Sequence, residues 1–102
     1  MAADATVVNA AFDAIAANRP AGEVLAMLRE VEPRVGPDRR GRFLVARAIA
    51  ANRLGLPGEA LGDLHEALLV AAEHEQQAVA AEAWSAIARV YAWRGGGRDA
   101  AL

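Results

Sequence analysis

The segment Trp84-Ser85-Ala86-Ile87-Ala88-Arg89-Val90-Tyr91-Ala92-Trp93-Arg94-Gly95, followed by Gly96-Gly97-Arg98-Asp99-Ala100, decides the fold class of this chain. Within it Trp84, Ile87 and Tyr91 stand at i, i+3 and i+7, with Ala88 beside them. That spacing gathers side chains on one face of a helix. Gly95 is suited to the position just past a helix C-terminus, where a left-handed backbone is common. Ala100 then falls in a following helix. A weaker copy lies 40 residues earlier, in Leu44, Arg47, Ala48, Ala51, Gly55 and Ala60. Self-similarity at a period of about 20 to 50 residues signals stacked structural units. The pattern directs the functional reading toward a binding scaffold and does not name what is bound.

Composition supports helices. The chain has 102 residues, of which 55% are hydrophobic but only 5% aromatic. Much of the apolar content is alanine, the strongest helix former and one that lets helices approach closely. The length suits one small domain. All eleven basic residues are arginine, and the net charge is −2, so no overall basic field draws the chain to nucleic acid. There is no cysteine, which removes disulfides and thiolate chemistry. The N-terminus lacks a basic stretch before an apolar run and does not read as a signal peptide. No window approaches the roughly 18 apolar residues of a membrane helix. A soluble cytoplasmic protein is expected.

Working outward, periodicity predicts a first helix over residues 5–18, with Val8, Ala11, Phe12 and Ile15 as its stripe and Asp4 as N-cap. Asn18-Arg19-Pro20 ends it, and a second helix carries Val24, Leu25, Leu28 and Val31 before Pro33. The polar stretch Glu32 to Gly41 holds the main loop. A third helix runs from Pro37 or Asp38 to Leu54, burying Phe43, Leu44, Ala48 and Ala51. Gly55 stops it, and Pro57 opens a fourth whose stripe is Leu61, Leu64, Leu68 and Ala71. At Glu73 to Gln77 the apolar phase changes, which predicts a short turn. A fifth helix spans roughly Gln77 to Arg94; Gly95 to Gly97 end it, and Arg98 begins a sixth. The fold class is therefore all-α, with stacked antiparallel helix pairs: about five helices plus the start of a sixth. The units are residues 5–33, 38–73 and 77–102 of one domain.

At these residues the chain resembles the tetratricopeptide repeat family, in a longer-period variant. Trp84, Ile87, Ala88, Tyr91, Gly95 and Ala100 match the family pattern in the third unit. Gly55, Ala60, Leu64 and Ala67 match the latter half of the second, whose first helix departs in carrying Arg47 at a usually apolar place. The first unit diverges most and has no glycine at its turn. The resemblance implies a right-handed stack with a concave groove lined by the first helix of each pair, binding a peptide or partner protein. Carried over position by position, that groove would present Arg42, Val45, Ile49, Asn52 and Arg53, then Glu82, Ser85, Arg89, Ala92 and Trp93. The first unit would add Thr6, Asn9 and Asp13.

Arg42, Arg53 and Arg89 are suited to bidentate pairing with carboxylates, and a Trp beside an Arg suits a contact hot spot, so an acidic or C-terminal peptide is the expected ligand. The bland alternative is a solvated arginine face with Trp93 packed against a following helix. A homodimer through the incomplete third unit is a further expectation, as is a regulatory or dimerisation role within a larger bacterial signalling or transcription protein.

Enzymatic chemistry is not expected. Ser85 has no histidine near it in sequence, and His65 and His74 do not share a helix face. Glu73 and Glu75, two apart, do not face one another on a helix. No metal or cofactor is implied. Gly95 to Gly97 lack the following Lys-Ser/Thr of a phosphate loop. Arg39-Arg40 and Arg42 form a basic cluster without an aromatic platform, so nucleic-acid contact is not favoured.

Overall fold

The computed structural model describes the backbone of residues 2–101 and the side chains of residues 6–92. Within these residues the chain is all-helical: α1 (Ala2–Ala16), α2 (Ala21–Val31), a 3₁₀ turn (Glu32–Arg34), α3 (Pro37–Arg53), α4 (Pro57–Glu73) and α5 (Gln77–Ala101). Successive helices pack against one another, most extensively α3 with α4 and then α4 with α5. The first helix of each pair also touches the next such helix, α1 meeting α3 and α3 meeting α5. The molecule is elongated, 49 × 28 × 19 Å. No described helix is long and apolar enough to cross a membrane.

Three of the four connections are the same turn. Asn18, Gly55 and Glu75 adopt positive φ of 61°, 81° and 54°. Around each, two backbone bonds close the preceding helix: Asn18 and Arg19 N–H to the Ile15 and Ala14 carbonyls, Gly55 and Leu56 N–H to Asn52 and Ala51, Glu75 and Gln76 N–H to Ala72 and Ala71. This is the Schellman arrangement, which satisfies carbonyls left over at a helix end. Two residues after each left-handed position stands Pro20, Pro57 or Gln77, at or beside the start of the next helix. Asn18 thus does for the first turn what a glycine does for the second. The turn expected at Glu73 to Gln77 forms at residues 74–76. The fourth connection differs: Pro33 sits in the 3₁₀ turn, and extended Gly36 leads into Pro37 at the start of α3.

The core follows the stripes. Val8, Ala11, Ile15, Val24, Leu28, Val31, Phe43, Leu44, Ala48, Ala51, Leu64 and Ala71 are buried, with Leu25, Leu61 and Leu68 partly so. Small residues set the spacing of α3 and α5. A Cβ on buried Gly41 would lie 2.8 Å from Val79 Cγ1, so the two helices approach as closely as only glycine allows. The main loop expected over Glu32 to Gly41 is shorter: Gly41 lies in the second turn of α3.

Four sequence expectations are corrected. The first helix begins at Ala2, so Asp4 lies inside it and is not an N-cap. It also ends two residues earlier than expected, at Ala16. α5 continues through Gly95, Gly96 and Gly97 to Ala101, leaving no turn there and no sixth helix. Glycine weakens a helix by about 1 kcal/mol per residue relative to alanine but removes no hydrogen bond, so it need not terminate one. Finally, Trp84, Ala88 and Tyr91, expected to pack with Ile87, are exposed; Ala83, Ala86, Ile87 and Val90 make the buried stripe of α5.

Candidate functional site

The C-terminal turns of α3, the middle of α5 and Leu64 of α4 enclose a recess of about 140 Å³. Its floor is Ala48, Ile49, Leu64, Ala86 and Val90, and its rim is Asn52, Arg53 and Arg89. Helix periodicity places these groups together: Ile49, Asn52 and Arg53 follow at three- and four-residue steps on α3, and Ala86, Arg89 and Val90 do so on α5. The recess continues into a wider, shallower cleft of about 780 Å³ that shares Asn52, Arg53 and Arg89. The far side of that cleft is the α1–α2 turn, Asn18 to Ala21, and it also reaches Leu54, Gly55 and Ala92.

The three polar groups differ in what they have left to offer. Arg53 Nη1 donates to the Ile15 carbonyl at 3.0 Å, tying α3 to the C-terminal turn of α1. A guanidinium carries five N–H donors, so Arg53 keeps donors for a ligand. Arg89 is exposed and makes no ion pair or hydrogen bond among the described residues. Asn52 Oδ1 is buried without a hydrogen-bond partner. A buried acceptor left unpaired costs about 1–3 kcal/mol, a cost that an incoming N–H donor would relieve.

Of the residues assigned to a groove from sequence, Ile49, Asn52, Arg53 and Arg89 are brought together, with Ala92 at the wider cleft. Val45 is fully buried in the core and offers no groove surface, because α3 is covered on both sides by its neighbours. Arg42 spans α3 to α1: its Nη1 donates to Asn9 Oδ1 and its guanidinium lies 4.3 Å from the Phe12 ring centroid. Glu82, half-buried, and Ser85, exposed, do not line the recess or the cleft. Thr6 and Asp13 do not line them either. The side chain of Trp93 lies outside the described residues. Sequence reading missed the Asn18 to Ala21 wall; Asn18 before Arg19-Pro20 was the signal, since asparagine is among the few residues that adopt a left-handed backbone readily.

A second polar assembly lies elsewhere, where the 3₁₀ turn, α3 and α4 meet. Arg47 Nε and Nη2 grip Asp63 at 2.9 and 3.0 Å, and its Nη1 reaches Glu32 at 2.9 Å. Arg40 bonds Glu32 at 3.3 Å and lies 3.6 Å from Glu66. Both guanidinium groups lie 5.3 Å from the Phe43 ring centroid. The hydrogen bonds that Arg47 donates to Asp63 hold it in its charged form against the opposing effect of burial. Partial burial of Glu32 opposes its ionisation, but Arg47 and Arg40 outweigh that and hold its carboxyl below the usual range. Arg47, the departure from the family pattern, is thus fully occupied in joining three elements.

No family model matches the chain, and the searches of curated proteins and of solved structures return no match.

Proposed function

We propose that the chain is a protein-interaction module of the tetratricopeptide kind, without catalytic activity of its own. It binds an acidic peptide segment between the C-terminal turns of α1 and α3 and the middle of α5. Two features support the solenoid reading: successive helices pack against one another, and α3 touches both α1 and α5. The observation that carries the binding reading is the α3–α5 recess, where an apolar floor is rimmed by Arg89 and the Asn52 Oδ1, both without a partner among the described residues. Such a site offers one apolar side chain a pocket, one carboxylate a bidentate cation and one backbone N–H an acceptor.

Fluorescence anisotropy with labelled peptides ending in an acidic residue, against neutral and C-terminally amidated controls, tests this. Arg89→Ala is the cleaner variant, because Arg53 also holds α1. It is expected to weaken binding about tenfold, or about 1.4 kcal/mol. Equal binding of acidic and neutral peptides, or affinity unchanged in Arg89→Ala, would overturn the proposal.

A further inference from the structure

We propose that occupancy of the cleft is coupled to docking of the α1–α2 pair: a bound peptide clamps that pair onto α3, and undocking of the pair releases the peptide. The coupling rests on the peptide-binding reading and adds to it how the site is controlled. α1 and α2 pack on each other and on α3, and among the described residues neither packs extensively on α4 or α5. The gap this leaves is the cleft. Its near wall is Asn52 to Gly55 at the end of α3 with Arg89 and Ala92 of α5, and its far wall is the α1–α2 turn, Asn18 to Ala21. One residue belongs both to the site and to the tie between the two parts. Arg53 lines the recess and the cleft, and its Nη1 donates to the Ile15 carbonyl at 3.0 Å. The same carbonyl accepts the Asn18 N–H at 3.0 Å, a bond that closes the α1–α2 turn. Arg53 thus holds the very turn that forms the far wall. When the pair leaves α3, that bond breaks and the wall goes with it.

Size and charge lay the ligand across both walls. The recess of about 140 Å³ has room for one side chain, since an apolar cavity of about 150 Å³ holds a benzene-sized group. The rest of a peptide must lie outside it, and the cleft of about 780 Å³ adjoins it through Asn52, Arg53 and Arg89. Among the described residues, every charged side chain lining the two is an arginine: Arg53 and Arg89 on the near side and Arg19 on the far side, with no carboxylate among them. Arg19 bonds Glu23 one helical turn on, an exposed pair weak enough to share its guanidinium with a ligand. An acidic segment anchored at Arg89 is therefore drawn along the cleft toward the α1–α2 turn. A ligand that needs both walls binds the docked state and not the undocked one, so its binding shifts the chain toward docking. By reciprocity, whatever loosens the pair weakens the ligand.

Native-state hydrogen exchange on the full chain, with and without a peptide ending in a leucine followed by a glutamate, tests the coupling. Fluorescence anisotropy first gives the Kd of that peptide. At a free concentration about 100 times this Kd, the amides of α1 and α2 that exchange by undocking should slow about 100-fold. That is the same factor expected for amides of α3 and α4 that exchange by global unfolding, which also releases the peptide. Arg42→Ala removes a tie between α3 and α1 that lies outside the cleft. It should speed exchange in α1 and α2 of the free chain and leave the slowing by peptide in place. Slowing confined to α3, α4 and α5, with α1 and α2 unchanged, overturns the coupling and leaves the peptide site standing. So does an Arg42→Ala chain whose α1 and α2 ignore bound peptide. A peptide that shows no saturable binding overturns the binding reading and the coupling together.

Discussion

Three residues show how single positions set the behaviour of this chain. Glu75 holds a left-handed backbone at φ 54°, in the same turn that elsewhere uses Asn18 and Gly55. A side chain there costs about 1 kcal/mol. Glu75→Gly is therefore expected to raise stability by several tenths to about 1 kcal/mol, net of glycine's larger entropy loss, read from urea denaturation midpoints. Gly41 is the opposite case. A methyl group there would sit 2.8 Å from Val79, so Gly41→Ala should destabilise by about 1–3 kcal/mol despite alanine's better helix propensity. Glu32 brings in pH. Its carboxyl titrates below the ordinary 4.5 because Arg47 and Arg40 outweigh its partial burial. Its contribution is thus complete above the unfolded value and is lost as pH falls through the folded one. Thermal melts between neutral and acid pH should show a steeper loss for the parent chain than for Glu32→Gln. Arg47→Ala should cost more than Glu32→Gln, on the order of 2 kcal/mol, because it strands Asp63 as well.

At the scale of elements, helices were legible wherever a stripe had a clear phase. Val8, Ala11 and Ile15, then Val24, Leu28 and Val31, mark the buried faces of α1 and α2 directly. The change of phase after Ala71 located the α4–α5 turn although neither glycine nor proline marks it. The reading failed where one signal had two physical meanings. Three glycines lower helix propensity without removing a donor, and α5 runs through them. Trp84 and Tyr91 share a face, but a face of large residues is a core only when something lies against it; here the alanines beside it face the core. The recess depended on which helices became neighbours, and spacing within α3 or α5 alone does not hold that information. Replacing Gly95, Gly96 and Gly97 by alanine should raise helix content measured by circular dichroism, by relieving about 1 kcal/mol of unfavourable propensity per position. An unchanged spectrum would show that the helix there owes nothing to local propensity.

The whole molecule is unevenly joined. α3, α4 and α5 share broad contacts, whereas α1 and α2 meet α3 over less surface. Across that narrower boundary α3 reaches back with arginines. Arg42 extends to Asn9 and Phe12, Arg53 to the Ile15 carbonyl, and Arg40 and Arg47 to Glu32. Native-state hydrogen exchange should find the slowest amides in α3 and α4, and distinctly faster exchange in α1 and α2, with the gap widening in high salt. Uniform protection along the chain would contradict this.

The polar ties of α3 also determine how the protein would respond to being pulled. Less packed surface joins the α1–α2 pair to α3 than joins α3, α4 and α5 to one another. Under tension applied between the two ends, the α1–α2 pair should come away first, as a discrete early lengthening at low load. The α3–α4–α5 unit would stay folded until a second, higher-force event. The arginines of α3 thus act as a mechanical fuse between an N-terminal part that releases easily and a remainder that holds.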